Sequence, residues 1–193
     1  MRTWLSALLL LVTFAGTAGE LDIQKDNLFP RVQFSTNMGN VIVELDRTRA
    51  PLTVDNFLGY VAKGHYDNTQ FHRVIKDFVV QGGGYDLKFN ERPTDKPIVN
   101  ESGNGLSNRT GTIAMARTDD PHSATSQFYF NVADNDRLDP NPRRWGYAVF
   151  GEVVEGLEVL MQIAQLPTEV RGEFADVPAA PIILKEAKLL PEG

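Results

Sequence analysis

From Arg31 onward, apolar and polar positions alternate over short runs far more often than they recur at helical period. "RVQFSTNMGNVIVEL" reads as two β-rich runs around Asn37-Met38-Gly39-Asn40, a hairpin signal in which Gly39 is free to take a positive φ. Further short strands are expected at Thr69–Val74, Phe78–Gln81, Thr112–Ala116, Phe128–Val132, Tyr147–Val153 and Ile182–Leu190. Two segments break the alternation. "APLTVDNFLGYVAKGHY" puts Val54, Phe57, Leu58 and Val61 on one helical face, with Pro51 at a first helical position and Gly64 suited to the C′ place. "EGLEVLMQIAQLP" predicts a second helix with Leu157, Leu160, Met161 and Ala164 as its apolar stripe and Pro167 as its stop. Many short strands, turns rich in Gly and Pro, and only two helices predict a mainly β fold: one domain, a closed β-barrel with helical covers.

The amino terminus has a different pattern. Arg2 supplies a positive charge, Leu5 to Phe14 an apolar core too short to span a bilayer stably, and Gly16-Thr17-Ala18 the small residues of a cleavage site. Residues 1–18 are expected to be a removed signal peptide, with cleavage after Gly19 as the alternative. Residues 19–29 are then a polar leader and 30–193 the domain. Removing 18 of 193 residues leaves 175, enough to bury roughly 70% of the unfolded chain's surface without cross-links. No disulfide is possible, because the chain has no cysteine. Without Arg2 there are 18 basic and 25 acidic residues, a net charge of −7. That balance argues against nucleic acid or an anionic membrane as partner. Nothing after the signal peptide predicts a membrane span.

Strand alternation supplies the first candidate chemistry. In "SQFYFNV", Phe128, Phe130 and Val132 share one face, expected to point into the barrel, and Gln127, Tyr129 and Asn131 share the other. In "FVVQGG", Val79 and Gln81 share a face by the same rule. An outer surface mixing rings and amides suits an extended peptide, whose backbone the amides hold. Other chemistries find little support. Gln81-Gly-Gly-Gly84 is not followed by Gly-Lys-Ser/Thr, so no phosphate cradle is expected. His65, His72 and His122 lack metal-binding spacing, and Ser123 and Ser126 sit in no Gly-x-Ser-x-Gly elbow. Asn100-Glu-Ser and Asn108-Arg-Thr fit the glycosylation sequon, a short and weak match.

Four separated segments, "FHRVIKDFVVQGGG", "GTIAMAR", "SATSQFYFNV" and "GYAVFGEVVEG", resemble the signature blocks of cyclophilin-type peptidyl-prolyl cis-trans isomerases. Their order and spacing fit from about Arg31 to Leu190, and the exported chain is most similar to the bacterial periplasmic branch. The resemblance implies an eight-stranded antiparallel barrel closed by two helices, with the active groove on its outer face. Position by position, it implies Arg73 as the catalytic arginine with Gln81 beside it, and Phe78 and Val79 as the apolar pair between them. Ala116 and Arg117 match the segment that grips substrate backbone, where many members have asparagine at the second position. Gln127, Phe128 and Tyr129 match a Gln-Phe-Phe run whose last ring floors the proline pocket. Leu138 matches a pocket leucine, and Tyr147 a position often held by histidine.

The resemblance further implies a periplasmic, monomeric enzyme without cofactor or metal, acting on proline-containing unfolded or extended polypeptides. A peptide-binding or chaperone module without useful catalysis is the competing expectation, and a serine hydrolase a distant third. Three departures stand out. Lys76-Asp77 replaces a frequent Pro-Gly turn. Arg137 stands where cyclosporin-sensitive members carry tryptophan, so weak cyclosporin binding is expected. The loop "DPNPRRWG" offers Arg143 and Arg144 as contacts for acidic substrate residues, although exposed charges of this kind are usually only solvated.

Overall fold

Eleven strands and two helices occur in chain order as β1 (Arg31–Thr36), β2 (Asn40–Leu45), α1 (Pro51–Ala62), β3 (Thr69–Gln70), β4 (Arg73–Ile75), β5 (Val79–Gly82), β6 (Thr112–Met115), β7 (Phe128–Asn131), β8 (Val149–Glu155), α2 (Leu157–Ile163), β9 (Thr168–Arg171), β10 (Phe174–Pro178) and β11 (Ile183–Leu189). They are seen in a computed structural model that describes residues 23–192. The expected signal peptide and the first residues of the leader lie outside the described residues.

Nine strands form one antiparallel sheet in the order β3-β11-β1-β2-β8-β6-β7-β5-β4. The fold is therefore mainly β with two helices, and the sheet curls strongly on itself. Register shifts between Ser35 and Thr36, Ile42 and Val43, and Ile113 and Ala114 bend the strands that carry them. The closed eight-stranded ladder takes a different detailed form. The run expected as a single strand, Thr69–Val74, is split into β3 and β4, with Phe71 and His72 between them. At Phe71 the backbone leaves one end of the sheet for the other: its N–H donates to Ile182 O at 2.9 Å. The two end strands are thus consecutive in the chain. An isolated Thr69–Asp86 bridge and the Gln70 N–H donating to Tyr85 O at 3.2 Å run across the gap.

The concave face is filled by rings. Phe34, Phe57, Tyr66, Phe71, Phe128, Phe130 and Phe150 are all buried in one apolar cluster. Phe34, Phe128 and Phe130 meet edge to face, with centroids 5.4–5.6 Å apart, each such pair adding about 0.5–1.5 kcal/mol beyond area burial. Helix α1 covers this core with Val54, Phe57, Leu58 and Val61, the expected stripe. Its first N–H groups find a partner that local sequence does not show. The Glu101 carboxylate accepts from Leu52 N and Thr53 N at 3.2 and 2.8 Å, placing negative charge at the positive helix end.

Two expectations are corrected. In α2, Val159, Leu160 and Ile163 are buried, with Ala164 just beyond, while Met161 is exposed. The segment is apolar almost all round, so period alone does not choose among competing stripes. The second correction is the hairpin of β9 and β10, which the sequence pattern does not predict between Pro167 and Pro181. It packs against β4 and matters for the site. Both sequon asparagines are buried and donate side-chain hydrogen bonds, Asn100 to Pro121 O and Gly146 O and Asn108 to Asp139 Oδ1. A glycan on either amide would break those bonds.

Candidate active site

The outer face of β5, β6 and β7 carries a second, smaller apolar cluster of Val79, Ala114, Tyr129 and Val149, edged by Phe78, Leu106, Ala116, Leu138 and Tyr147. Alternation is the cause. Phe128 and Phe130 point into the barrel while Tyr129 points away, and the loops around Leu106, Leu138 and Tyr147 cover it to 4% exposure. Asn131, expected on the outer face, does share it but is wholly buried beneath those loops.

On this face one depression of about 190 Å³ is lined by Arg73, Phe78, Val79, Gln81, Ala116, Arg117, Tyr129, Leu138 and Tyr147. Nine of the eleven predicted site residues therefore meet in one place. Gln127 stands just behind it. Phe128 is the exception and is corrected: its side chain belongs to the barrel core, as strand period requires and against the role carried over with its neighbours. Larger depressions lie elsewhere. One of about 420 Å³, bordered by Phe29, Glu44, Asp46, Arg109 and Glu152, holds none of the predicted residues.

Arg73 and Gln81 are cross-strand partners in the β4–β5 ladder, which sets their side chains side by side. Arg73 Nη1 donates to Gln81 Oε1 at 3.2 Å, and Gln81 Nε2 donates to Gln127 Oε1 at 3.0 Å. The glycines after Gln81 make room for this relay. Gly83 has φ of +86°, and a Cβ on Gly84 would sit 2.6 Å from the Gln127 side chain. The Arg73 side chain is 38% exposed, and its guanidinium lies on the outer surface beside Gln81 and Asp176, not in the core. On its other side lies Asp176 of β10, with Oδ2 3.9 Å from Arg73 Nε. Asp176 is not among the residues the sequence predicts. It sits at φ +58° inside the register shift between Phe174 and Val177, a conformation Asp tolerates better than most residues. Its one sequence signal is position, "FADVP" just after a Gly turn, which says nothing about a partner on β4.

The floor is fixed from below by buried amides. Tyr129 Oη donates to Asn108 Oδ1 at 2.7 Å, and Asn108 Nδ2 donates to Asp139 Oδ1 at 2.8 Å. Asn131 Nδ2 donates to the same Asn108 oxygen at 3.2 Å, and Asn135 Nδ2 donates to Asn131 Oδ1 at 2.7 Å and to Phe78 O at 2.9 Å. Burial above all, then the nearby Tyr147 and Asp139, holds the Tyr129 hydroxyl well above the ordinary tyrosine range, so it remains a donor. Leu138 and Tyr147 are joined by the Tyr147 N–H donating to Leu138 O at 2.9 Å. Tyr147 also meets the Tyr129 ring edge to face and carries the Arg117 guanidinium 4.4 Å from its centroid. The result is a hollow with Phe78, Val79, Tyr129 and Leu138 on its walls and two guanidinium groups, Arg73 and Arg117, in its lining. Among the described residues no cluster of His, Cys, Asp or Glu is arranged to hold a metal ion, and no helix is long and apolar enough to cross a membrane.

The chain is similar to known proteins over most of its length. A profile of the family "Cyclophilin type peptidyl-prolyl cis-trans isomerase/CLD" matches residues 31–189. A Streptomyces antibioticus peptidyl-prolyl cis-trans isomerase is 49% identical over 162 residues, covering 82% of this chain and 98% of its own. Peptidyl-prolyl cis-trans isomerase B of Escherichia coli is 46% identical over 157 residues, covering 80% and 96%. A crystal structure of a Cryptosporidium parvum cyclophilin type isomerase in the presence of the dipeptide Ala-Pro superposes with a TM-score of 0.70 at 27% identity, covering 84% and 99%. The chain belongs to the cyclophilin-type peptidyl-prolyl cis-trans isomerases.

Proposed function

We propose that the protein accelerates X–Pro bond rotation in exported, still-unfolded polypeptides by holding the proline ring in the hollow and stabilising the twisted amide with Arg73. The observation that carries this reading is one depression lined both by the Arg73–Gln81 pair and by Phe78, Val79, Tyr129 and Leu138. An X–Pro bond rotates slowly because resonance must be broken, a barrier of roughly 18–20 kcal/mol. No covalent bond is made or cut, so the protein has only to bind the twisted form better than either planar one. In that form the nitrogen becomes pyramidal and exposes a lone pair. A guanidinium that stays charged at any working pH can donate to it. Gln81, held in turn by Gln127, limits the directions in which the guanidinium can swing.

Magnitudes divide the labour. A rate gain of about 10⁶ requires about 8 kcal/mol. A hydrogen bond to a charged group gives about 1.5–3 kcal/mol, and a pre-aimed donor in a dry site about 4 kcal/mol. Arg73 is partly exposed, so the remainder must come from the hollow and from grips on the substrate backbone at Ala116, Arg117 and Gln127. A pocket floor fixed by buried amides supports that part, because it does not have to reorganise as the bond turns. The apolar stretch at the amino terminus supports export and a periplasmic site of action.

The test is an NMR exchange or protease-coupled assay on the chain without residues 1–18. Arg73→Ala is expected to lower kcat/KM on a short X–Pro peptide by about 10²–10³ while the circular dichroism spectrum stays unchanged. Full activity in that variant would overturn the mechanism. A fractionation showing the protein in the cytoplasm would overturn the assigned compartment.

A further inference from the structure

One residue lining the hollow, Arg117, is itself a cation without a carboxylate partner. Arg117 donates through Nε to Gly146 O at 3.3 Å, through Nη1 to Thr118 O at 2.8 Å and through Nη2 to Trp145 O at 3.1 Å. A guanidinium has five N–H groups, so one remains on each terminal nitrogen. Arg31, Arg47, Arg109 and Arg171 each face a carboxylate, whereas no ion pair joins Arg117 or Arg144 to one among the described residues. Backbone carbonyls orient Arg117 and the Tyr147 ring supports it from one side. None of these contacts neutralises it.

A second depression of about 370 Å³ is lined by Arg117, Asp119, Pro121, Arg144, Trp145 and Tyr147. It shares Arg117 and Tyr147 with the proline hollow, so an extended chain seated in one reaches the other with a residue close to the proline. Arg144 donates through Nη2 to the carbonyl of Arg137, the residue before Leu138 of the hollow. Trp145, packed edge to face on His122 and 47% exposed, and Pro121 offer apolar surface for methylene groups. Two guanidinium groups face one carboxylate, Asp119, which is exposed to solvent and therefore well screened. Arg143, by contrast, lines a neighbouring depression that shares Arg144 and Trp145 with this one but not Arg117 or Tyr147.

We infer that this second depression is a subsite for an acidic side chain flanking the substrate proline, with Arg117 and Arg144 as the residues that select it. The inference rests on the isomerase reading above and deepens it by naming a substrate class. It is tested with matched X–Pro peptides carrying Glu, Gln or Lys immediately before or immediately after the proline, each assayed by NMR exchange at low and at high salt. At one of the two positions kcat/KM is expected to fall in the order Glu, Gln, Lys, with about a tenfold span that shrinks at high salt. Arg144→Gln is expected to cut the Glu-over-Gln ratio about threefold, and Arg117→Gln with Arg144→Gln to abolish it. Equal kcat/KM for all three side chains at both positions, in an active enzyme, would overturn the subsite. So would a preference that survives the double substitution. No turnover on any of the peptides would instead overturn the isomerase reading, and the subsite with it.

Discussion

Arg73 and Gln81 stand opposite each other in a two-strand ladder, so their pairing comes from register and not from a loop that has to close. Arg137 precedes Leu138, which lines the hollow. This arginine is exposed on a 3-10 turn, Asp136–Leu138, and its carbonyl is engaged by Arg144. An arginine there offers charge where a flat apolar ring with an indole N–H would offer contact area. Aromatic anchors at interfaces are commonly worth about 2 kcal/mol or more, and about 1.4 kcal/mol is a factor of ten. Arg137→Trp is therefore expected to strengthen cyclosporin inhibition of isomerisation at least about tenfold over the parent chain. Equal inhibition constants for the two proteins would count against this account of Arg137.

At the scale of elements, the unexpected part of the site is the β9–β10 hairpin. Phe174 anchors it among Tyr85 and Phe89, both with ring centroids at 4.9 Å, and His72 at 6.3 Å. The same hairpin carries Asp176 to Arg73. A pair 3.9 Å apart and about two-fifths exposed on each side is worth no more than about 1 kcal/mol. Asp176→Ala should accordingly lower kcat two- to fivefold with KM nearly unchanged, because the guanidinium loses one of its two tethers. A larger loss of kcat, or one confined to KM, would assign Asp176 another role. The hairpin is not legible in "TEVRGEFADVP", whose outward positions are charged and whose few apolar residues have no strong period. Its docking depends on rings from a loop far earlier in the chain, Tyr85 and Phe89.

For the molecule as a whole, the joint between β3 and β4 is the place where the curled sheet meets itself, and His72 is buried there. Burial first, then the positive charge of Arg73, lowers its pKa to about 4, only partly offset by a hydrogen bond with the Gln70 backbone. Its Nδ1 has no hydrogen-bond partner. An unfolded histidine titrates near 6.5, so between pH 6.5 and 4 the unfolded chain binds a proton that the folded one refuses. Stability is then fully present above about pH 6.5 and is lost as pH falls toward 4. The contribution amounts to about 2–3 kcal/mol at pH 4.5. Urea unfolding at pH 7 and pH 4.5 should show His72→Phe losing less stability than the parent by about that amount. An identical pH dependence in the two proteins would refute the burial argument.

Much of the fold was present in one dimension. Alternation in "SQFYFNV" separated a core face from an outward face, and helical period with Pro51 and Gly64 bounded α1. Those signals are local, because a strand or helix repeats its exposure every two or about 3.6 residues whatever surrounds it. The same period placed Phe128 in the core more reliably than its neighbours' roles did. What only the tertiary structure decided are contacts between residues far apart in the chain. They include Glu101 at the start of α1, the Asn108 amide under Tyr129, Asp176 beside Arg73, and the carbonyls of Trp145 and Gly146 that orient Arg117. Polar partners of this kind are chosen by how the sheet curls and where its loops return, and no periodicity along the sequence encodes that geometry.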